Sequence, residues 1–149
     1  MPANADIHAL QPSDFSAVQA LIKDIHAEQG LLPEFYWPAD MVDEEWERAR
    51  GFGLFAPEGL RAVILYREIP HVWEISLLAT APSAKRQGVM QLLLQHFLDA
   101  RGRDRDVWLE VHEKNLAAQK LYEKLGFRRT GRRGQYYQDR GTAYLYSYP

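Results

Sequence analysis

The sequence predicts a mixed α/β fold of the α+β kind, an antiparallel meander joined to one parallel strand pair. Two observations carry this. Three short runs rich in apolar and β-branched residues, at 52–56, 60–67 and 72–80, are separated only by turn signals at Pro57-Glu58-Gly59 and Pro70. Runs spaced so closely pair as antiparallel neighbours. Downstream, the 72–80 run, a helix-patterned stretch from 89 and the compact run Val-Trp-Leu-Glu-Val at 107–111 make strand, helix, strand. Such a unit returns by a right-handed crossover, so 72–80 and 107–111 are expected to lie parallel. A chain of 149 residues fits one domain, 1–149, with a real core.

In chain order, 6–10 reads as a first strand. Pro12 and Ser13 open a helix with Ser13 as N-cap, and Phe15, Val18, Leu21, Ile22 and Ile25 recur on its apolar face. Gly30 ends that helix or the turn after it. The following stretch, 31–38, is apolar and aromatic but interrupted by Pro33 and Pro38, so it is a loop that packs on the core or walls a cleft. A second, acidic helix covers 40–50. Alternation in 72–80 sets Glu74, Ser76 and Leu78 on one face. The mixed-charge stretch 101–106 is a solvated turn. Asn115 caps a helix whose face carries Ala118, Leu121, Tyr122 and Leu125, Gly126 closes it, and Phe127 leads into another strand before the last one at 143–148.

Composition removes several classes of function. The formal charge of −2 gives no general attraction to nucleic acid or to anionic membranes. With no cysteine there is no disulfide, no thiolate chemistry and no cysteine-ligated metal. No metal site is expected. No apolar run approaches membrane-spanning length, and the N-terminus has neither a basic nor an apolar signal region, so a cytoplasmic protein is expected.

The stretch 82–98 organises the chain. A strand ends, Pro82 follows, then the basic turn Lys85-Arg86-Gln87-Gly88, then an apolar helix marked by Val89, Leu92, Leu93, His96, Phe97 and Ala100, widened by Leu94. The first N–H groups of a helix have no intrahelical partner and its dipole favours negative charge there. Lys85 and Arg86 add formal charge, and Gly88 permits an unusual φ or a close backbone approach. A pyrophosphate suits this place. The turn is neither a P-loop nor a dinucleotide fingerprint, since the glycines those need are missing. A second chemical signal is Glu110, a carboxylate inside an apolar strand. Unpaired burial would cost it several kcal/mol or raise its pKa, so it lines a wet cleft or has a partner.

Pro-x-x-Lys-Arg-Gln-Gly-Val-Met at 82–90 resembles the pyrophosphate loop of the GNAT acyltransferases, Gln/Arg-x-x-Gly-x-Gly/Ala. Lys85 stands at the Gln/Arg position, Gly88 at the first glycine, and Met90 where Gly or Ala is usual. More specific is Asn-Leu-Ala-Ala-Gln-Lys-Leu-Tyr-Glu-Lys-Leu-Gly-Phe at 115–127, which closely resembles the family segment Asn-x-x-Ala-x-x-Leu-Tyr-x-x-x-Gly-Phe. The runs 108–115 and 132–137 and the closing strand are similar to the RimI branch, whose members acetylate the N-terminal alanine of a ribosomal protein.

The resemblance implies the GNAT fold: a mostly antiparallel central sheet of six or seven strands, helices on both faces, and a splayed parallel pair with acetyl-CoA as co-substrate in the wedge. Leu78, Ala79 and Thr80 would hydrogen-bond the pantetheine arm through their backbone. The amides of Lys85, Arg86, Gln87, Gly88, Val89 and Met90 would hold the pyrophosphate, and Asn115 would reach the arm while capping its helix. Tyr122 would be the general acid, protonated at neutral pH with a phenol pKa of ~10. Glu110 would be the base through a water, with Glu74 as the second candidate and His112 as the third, more in keeping with a structural histidine. Tyr36, Trp37, Tyr136 and Tyr137 would wall the acceptor groove, although the two later tyrosines suit strand-edge packing equally well.

The partners implied are acetyl-CoA and an amine acceptor, a protein N-terminus or a small amine, with neither membrane nor direct nucleic acid; the chain would be a monomer or homodimer. Arg128, Arg129, Arg132 and Arg133 form a basic cluster, read as a solvated face. A GNAT enzyme for a small amine is the alternative activity. A silent acyl-CoA-binding module, motivated by the bulk of Met90, is the non-enzymatic one.

Overall fold

A computed structural model describes residues 5–29, 37–137 and 139–149. Its core is a seven-stranded sheet in the order β1-β2-β3-β4-β5-β7-β6, formed by β1 (Asp6–Ala9), β2 (Arg50–Ala56), β3 (Gly59–Ile69), β4 (Val72–Thr80), β5 (Asp106–His112), β6 (Arg128–Arg133) and β7 (Ala143–Tyr148). All neighbours are antiparallel except β4 and β5. The meander and the crossover both form as the sequence indicates. Strands β4 and β7 span the residues predicted for them, and the ends of the others agree or differ by one or two residues.

Among the described residues, four helices complete the fold: α1 (Phe15–Gln29), α2 (Ala39–Trp46), α3 (Val89–Ala100) and α4 (Leu116–Leu125). Strand β3 is buried without interruption from Ala62 to Tyr66, as expected of a strand covered on both faces, and α1 and α3 both pack on it. From α1 come Val18, Leu21, Ile22 and Ile25, all buried, each worth roughly 1.5–3 kcal/mol of transfer free energy. On α3, Phe97 lies at the centre of an aromatic cluster, with ring centroids 5.0 Å from Tyr66 and 5.3 Å from Trp73. Leu98 is also buried there while Ala100 is exposed, a shift of the expected stripe toward the sheet.

Ser13 is not the cap that the sequence suggests. Residues Pro12–Asp14 form a 3-10 turn, and the Asp14 carboxylate accepts the Gln11 backbone N–H at 2.8 Å. Proline in the first turn moves the helix start upstream, so Ser13 falls inside the turn. Gly30 and the stretch 31–36 lie outside the described residues.

The feature that creates a site is the brevity of the β4–β5 ladder. Only Val72↔Asp106, Trp73↔Val107 and Glu74↔Trp108 pair. Beyond them β4 stays bonded to β3 as far as Ala62↔Thr80, and β5 stays bonded to β7 as far as His112↔Ala143. The strands therefore diverge. A register shift in the β3–β4 ladder at Leu65/Tyr66 leaves Ser76 without an opposite residue, two positions past the last parallel pair. A bulge there bends and twists the strand, which helps carry β4 away from β5.

Candidate active site

The diverging strands open a cleft of about 590 Å³ between β4 and β5, bounded by α3 and α4. Leu78, Ala79 and Thr80 line it along the edge of β4 that has no strand partner. Backbone N–H and C=O groups on such an edge are available to an extended ligand.

Lys85, Arg86, Gly88, Val89 and Met90 line the far end. Gly88 is the N-cap residue of α3 with φ 75°, and Arg86 is also left-handed at φ 65°. The first bond along α3 is Leu92 N–H to Gly88 O, so the preceding amides face outward at the positive end of the helix. Lys85 and Arg86 are exposed beside them. Gln87 does not line the cleft, and its amide nitrogen donates to the Ser83 carbonyl at 3.1 Å. Met90 is half-buried, packed on the core while contributing to the cleft wall. It leaves the cavity continuous with the turn.

Asn115 lines the cleft at the start of α4. Its Oδ1 accepts the Ala118 N–H at 3.1 Å, which leaves its NH₂ group for another partner. At the other end of this helix Gly126 takes φ 107° and closes it, as the sequence indicates. Tyr122 also lines the cleft, its ring 5.7 Å from Phe127 and 5.8 Å from Tyr146. Burial pushes its phenol far above the ordinary value, with Tyr137 and Tyr146 adding to the rise. The Tyr146 hydroxyl donates to Glu123 at 2.8 Å and so fastens α4 to β7 beside Tyr122.

Glu110 lies two residues past the last β4–β5 pair and lines the same cleft as Tyr122. Burial raises its pKa, Arg133 opposes this, and Glu74 adds to it. An Arg133 nitrogen stands 3.3 Å from Oε1, and Tyr136 also holds the carboxyl's pKa down. Glu74 is exposed at the closed apex, outside the cleft lining. It reaches Glu110 only through its charge.

His112 lines the cleft but is built into the frame. Its Nδ1 accepts the Lys114 N–H at 3.0 Å, which fixes the proton on Nε2, and Nε2 donates to Asp139 at 2.9 Å. The ring stacks on Tyr137, 4.8 Å between centroids, and a Cβ at Gly141 would run into it. These contacts tie the segment joining β6 and β7 against β5. They bring Tyr137 to the cleft and Tyr136 to Glu110. Trp37 lines the cleft too, its carbonyl accepting from His26 Nε2 at 2.7 Å; Tyr36 lies outside the described residues.

A sequence-only reading misses Arg133, Asp139 and Ser76. Arg133 and Asp139 act on β5 residues 23 and 27 positions earlier, and only the β5–β7–β6 register brings them there. Ser76 matters through a bulge, which leaves no mark in an alternating pattern.

The model of the acetyltransferase (GNAT) family matches residues 19–127. The chain belongs to the GNAT acetyltransferase family. As a member of that family it is an N-acetyltransferase, similar in sequence to enzymes of the RimI type. It is 33% identical to the [ribosomal protein bS18]-alanine N-acetyltransferase of Salmonella typhimurium (strain LT2) over 135 residues, 88% of this chain and 86% of that one. The crystal structure of the ribosomal-protein-S18-alanine N-acetyltransferase from Escherichia coli superposes with a TM-score of 0.82 at 29% identity, covering 97% of this chain and 93% of the other. A mycothiol acetyltransferase of Salinispora arenicola is 32% identical over 87% of this chain and 46% of its own length. GNAT enzymes use acetyl-CoA as co-substrate. Among the described residues, no helix is long and apolar enough to cross a membrane.

Proposed function

We propose that the protein transfers the acetyl group of acetyl-CoA to the α-amine of a protein N-terminus. The observation that carries this reading is that Glu110 and Tyr122 line one cleft whose other end is the amide-rich turn before α3. That arrangement suits a long anionic thioester, with the pyrophosphate on the amides of Lys85 to Met90, pantetheine along Leu78, Ala79 and Thr80, and Asn115 donating to the arm.

Three tasks belong to the reaction. Glu110 takes, through a water, the surplus proton that the neutral acceptor amine carries once its nitrogen adds to the carbonyl, and its burial-raised pKa makes it a better base than a free glutamate. A backbone N–H of the unpaired β4 edge near Leu78 holds the oxyanion that forms when the amine nitrogen adds to the carbonyl carbon. Tyr122, held protonated by burial, donates to the sulfur as the C–S bond breaks. Trp37, Tyr136 and Tyr137 wall the acceptor side; Glu74 assists through its charge.

An α-amine, with a pKa of ~8, is neutral in about a tenth or more of molecules at pH 7, whereas a lysine amine near ~10.4 is neutral in well under one per thousand. A single water-linked carboxylate suits the former. The RimI-type names of the relatives agree with this acceptor. The mycothiol acetyltransferase relative favours a second reading, a small-molecule amine.

The test is thiol release from acetyl-CoA in the presence of peptides beginning with alanine or a panel of small amines, with mass spectrometry locating the acetyl group. Turnover only with peptides, acetylated at the α-nitrogen, is expected. Turnover only with small amines supports the second reading. No thiol release with any amine leaves a silent acyl-CoA-binding module.

A further inference from the structure

At the acceptor side of the cleft the base candidate already has a cation beside it. Arg133 of β6 lies 3.3 Å from Glu110 Oε1 and 5.3 Å from the centre of the Tyr136 ring, with 55% of its side chain exposed. Tyr136 meets the Tyr137 ring edge-on at 5.2 Å, and Tyr137 lines the cleft. The charged groups around Glu110 are thus Arg133 from β6 and Glu74 from β4, with the Tyr136 phenol from the segment after β6. Nearby Arg67 is committed to Glu45 through two hydrogen bonds. The Glu110 carboxylate at the acceptor side is therefore set between one adjacent guanidinium and the more distant charge of Glu74 at the closed apex.

We infer that Arg133 is a specificity-determining residue, whose guanidinium on Glu110 disfavours acceptors that arrive as ammonium ions and so directs the site to α-amines. This rests on the proposed function. An acceptor that is mostly ammonium must share the Glu110 carboxylate with a cation already there, and like charges in one site are unfavourable. An α-amine enters in its neutral form often enough to avoid that contest. Removing the guanidinium leaves the Glu110 carboxylate without a cation beside it and with the Glu74 charge behind it, a site that attracts the ammonium of lysine or of a polyamine.

Arg133 also holds the Glu110 proton equilibrium down against burial and Glu74. Its loss leaves the raising influences of burial and Glu74 opposed only by Tyr136. The acid limb of the kcat/KM profile, which reports this base in the free enzyme, then moves to higher pH.

The experiment measures kcat/KM against pH for wild type, Arg133→Gln and Arg133→Lys. The acceptors are an alanine-leading peptide and a lysine peptide blocked at its α-amine. In Arg133→Gln the lysine-to-alanine ratio is expected to rise about fivefold, the size an exposed ion pair supports, through a lower KM for lysine. Its acid limb moves up by a measurable fraction of a pH unit. Arg133→Lys, which keeps the charge, moves both back toward wild type, and added salt erodes the wild-type preference in the direction of Arg133→Gln. A folded Arg133→Gln enzyme with unchanged ratio and unchanged acid limb overturns the inference alone. Wild type that acetylates neither acceptor overturns the functional reading and this inference with it.

Discussion

Glu74 stands opposite Trp108 in the last register pair between β4 and β5, and past that pair the two strands never meet again. Every residue placed in the site gains its position from this separation. One backbone edge of Leu78 to Thr80 faces a cleft rather than a strand, and Glu110, still paired with Leu145 of β7, lines that cleft two positions later.

Tyr122→Phe removes one hydroxyl and leaves the ring between Phe127 and Tyr146. We expect kcat to fall about a hundredfold, the lower range for a proton donor, with acetyl-CoA affinity within about twofold of wild type. Steady-state kinetics and calorimetric titration check this. Unchanged kcat removes Tyr122 from the chemistry.

Gly88 has φ 75° and open space where a Cβ would sit. Gly88→Val therefore meets backbone strain rather than a clash, costing about 1–2 kcal/mol for a left-handed L-residue. Relief by rotation would swing the first amides of α3 away from the turn. A lower melting temperature with at least tenfold weaker acetyl-CoA binding is expected, against little change in either for Gln87→Ala, whose side chain is turned to Ser83.

Glu110 shows opposite signs in stability and activity. Its folded pKa is raised by burial, so the stability it contributes is present below the unfolded value of 4.5 and is lost as pH rises through the folded pKa. Glu110→Gln lacks that loss. It is expected to unfold in urea at pH 7 no more easily than wild type, while kcat/KM drops at least a hundredfold. A variant that loses stability and activity together at pH 7 would mark Glu110 as structural.

Glu45 gives the reverse pH dependence. Burial raises its pKa, but the hydrogen bonds and charge of Arg67, with smaller lowering effects from Ser76 and Arg48, outweigh burial and the carboxyl ends below its ordinary value. Its contribution is present above pH 4.5 and lost as pH falls through the folded pKa. Arg67→Met strands a carboxylate whose side chain is 3% exposed, at a cost of about 3 kcal/mol. Urea melts at pH 7 and pH 3 should show that penalty at the first and little of it at the second.

Much of the fold was legible because the signals are local. Gly126 ends α4 where the pattern places it, Asn115 caps it, and β4 keeps its predicted length between Pro70 and Pro82. The motif at 115–127 placed Tyr122, and an acid within an apolar strand singled out Glu110. What stayed hidden depends on register between distant strands. Arg133 looked like one arginine of a solvated cluster until the β5–β7–β6 ladder set it against Glu110. His112 was one base candidate among three until Asp139, 27 residues later, identified it as a clamp. Ser13 failed as a cap because Pro12 favours a 3-10 turn ahead of the helix, a competition that residue preference alone does not decide.

The most direct test of the whole account is a crystal structure with coenzyme A bound. It predicts the pantetheine arm along Leu78 to Thr80, the pyrophosphate on the amides preceding α3, and the sulfur within hydrogen-bond reach of the Tyr122 hydroxyl. Coenzyme A bound elsewhere, or seated in the cleft with its sulfur remote from Tyr122, would contradict it.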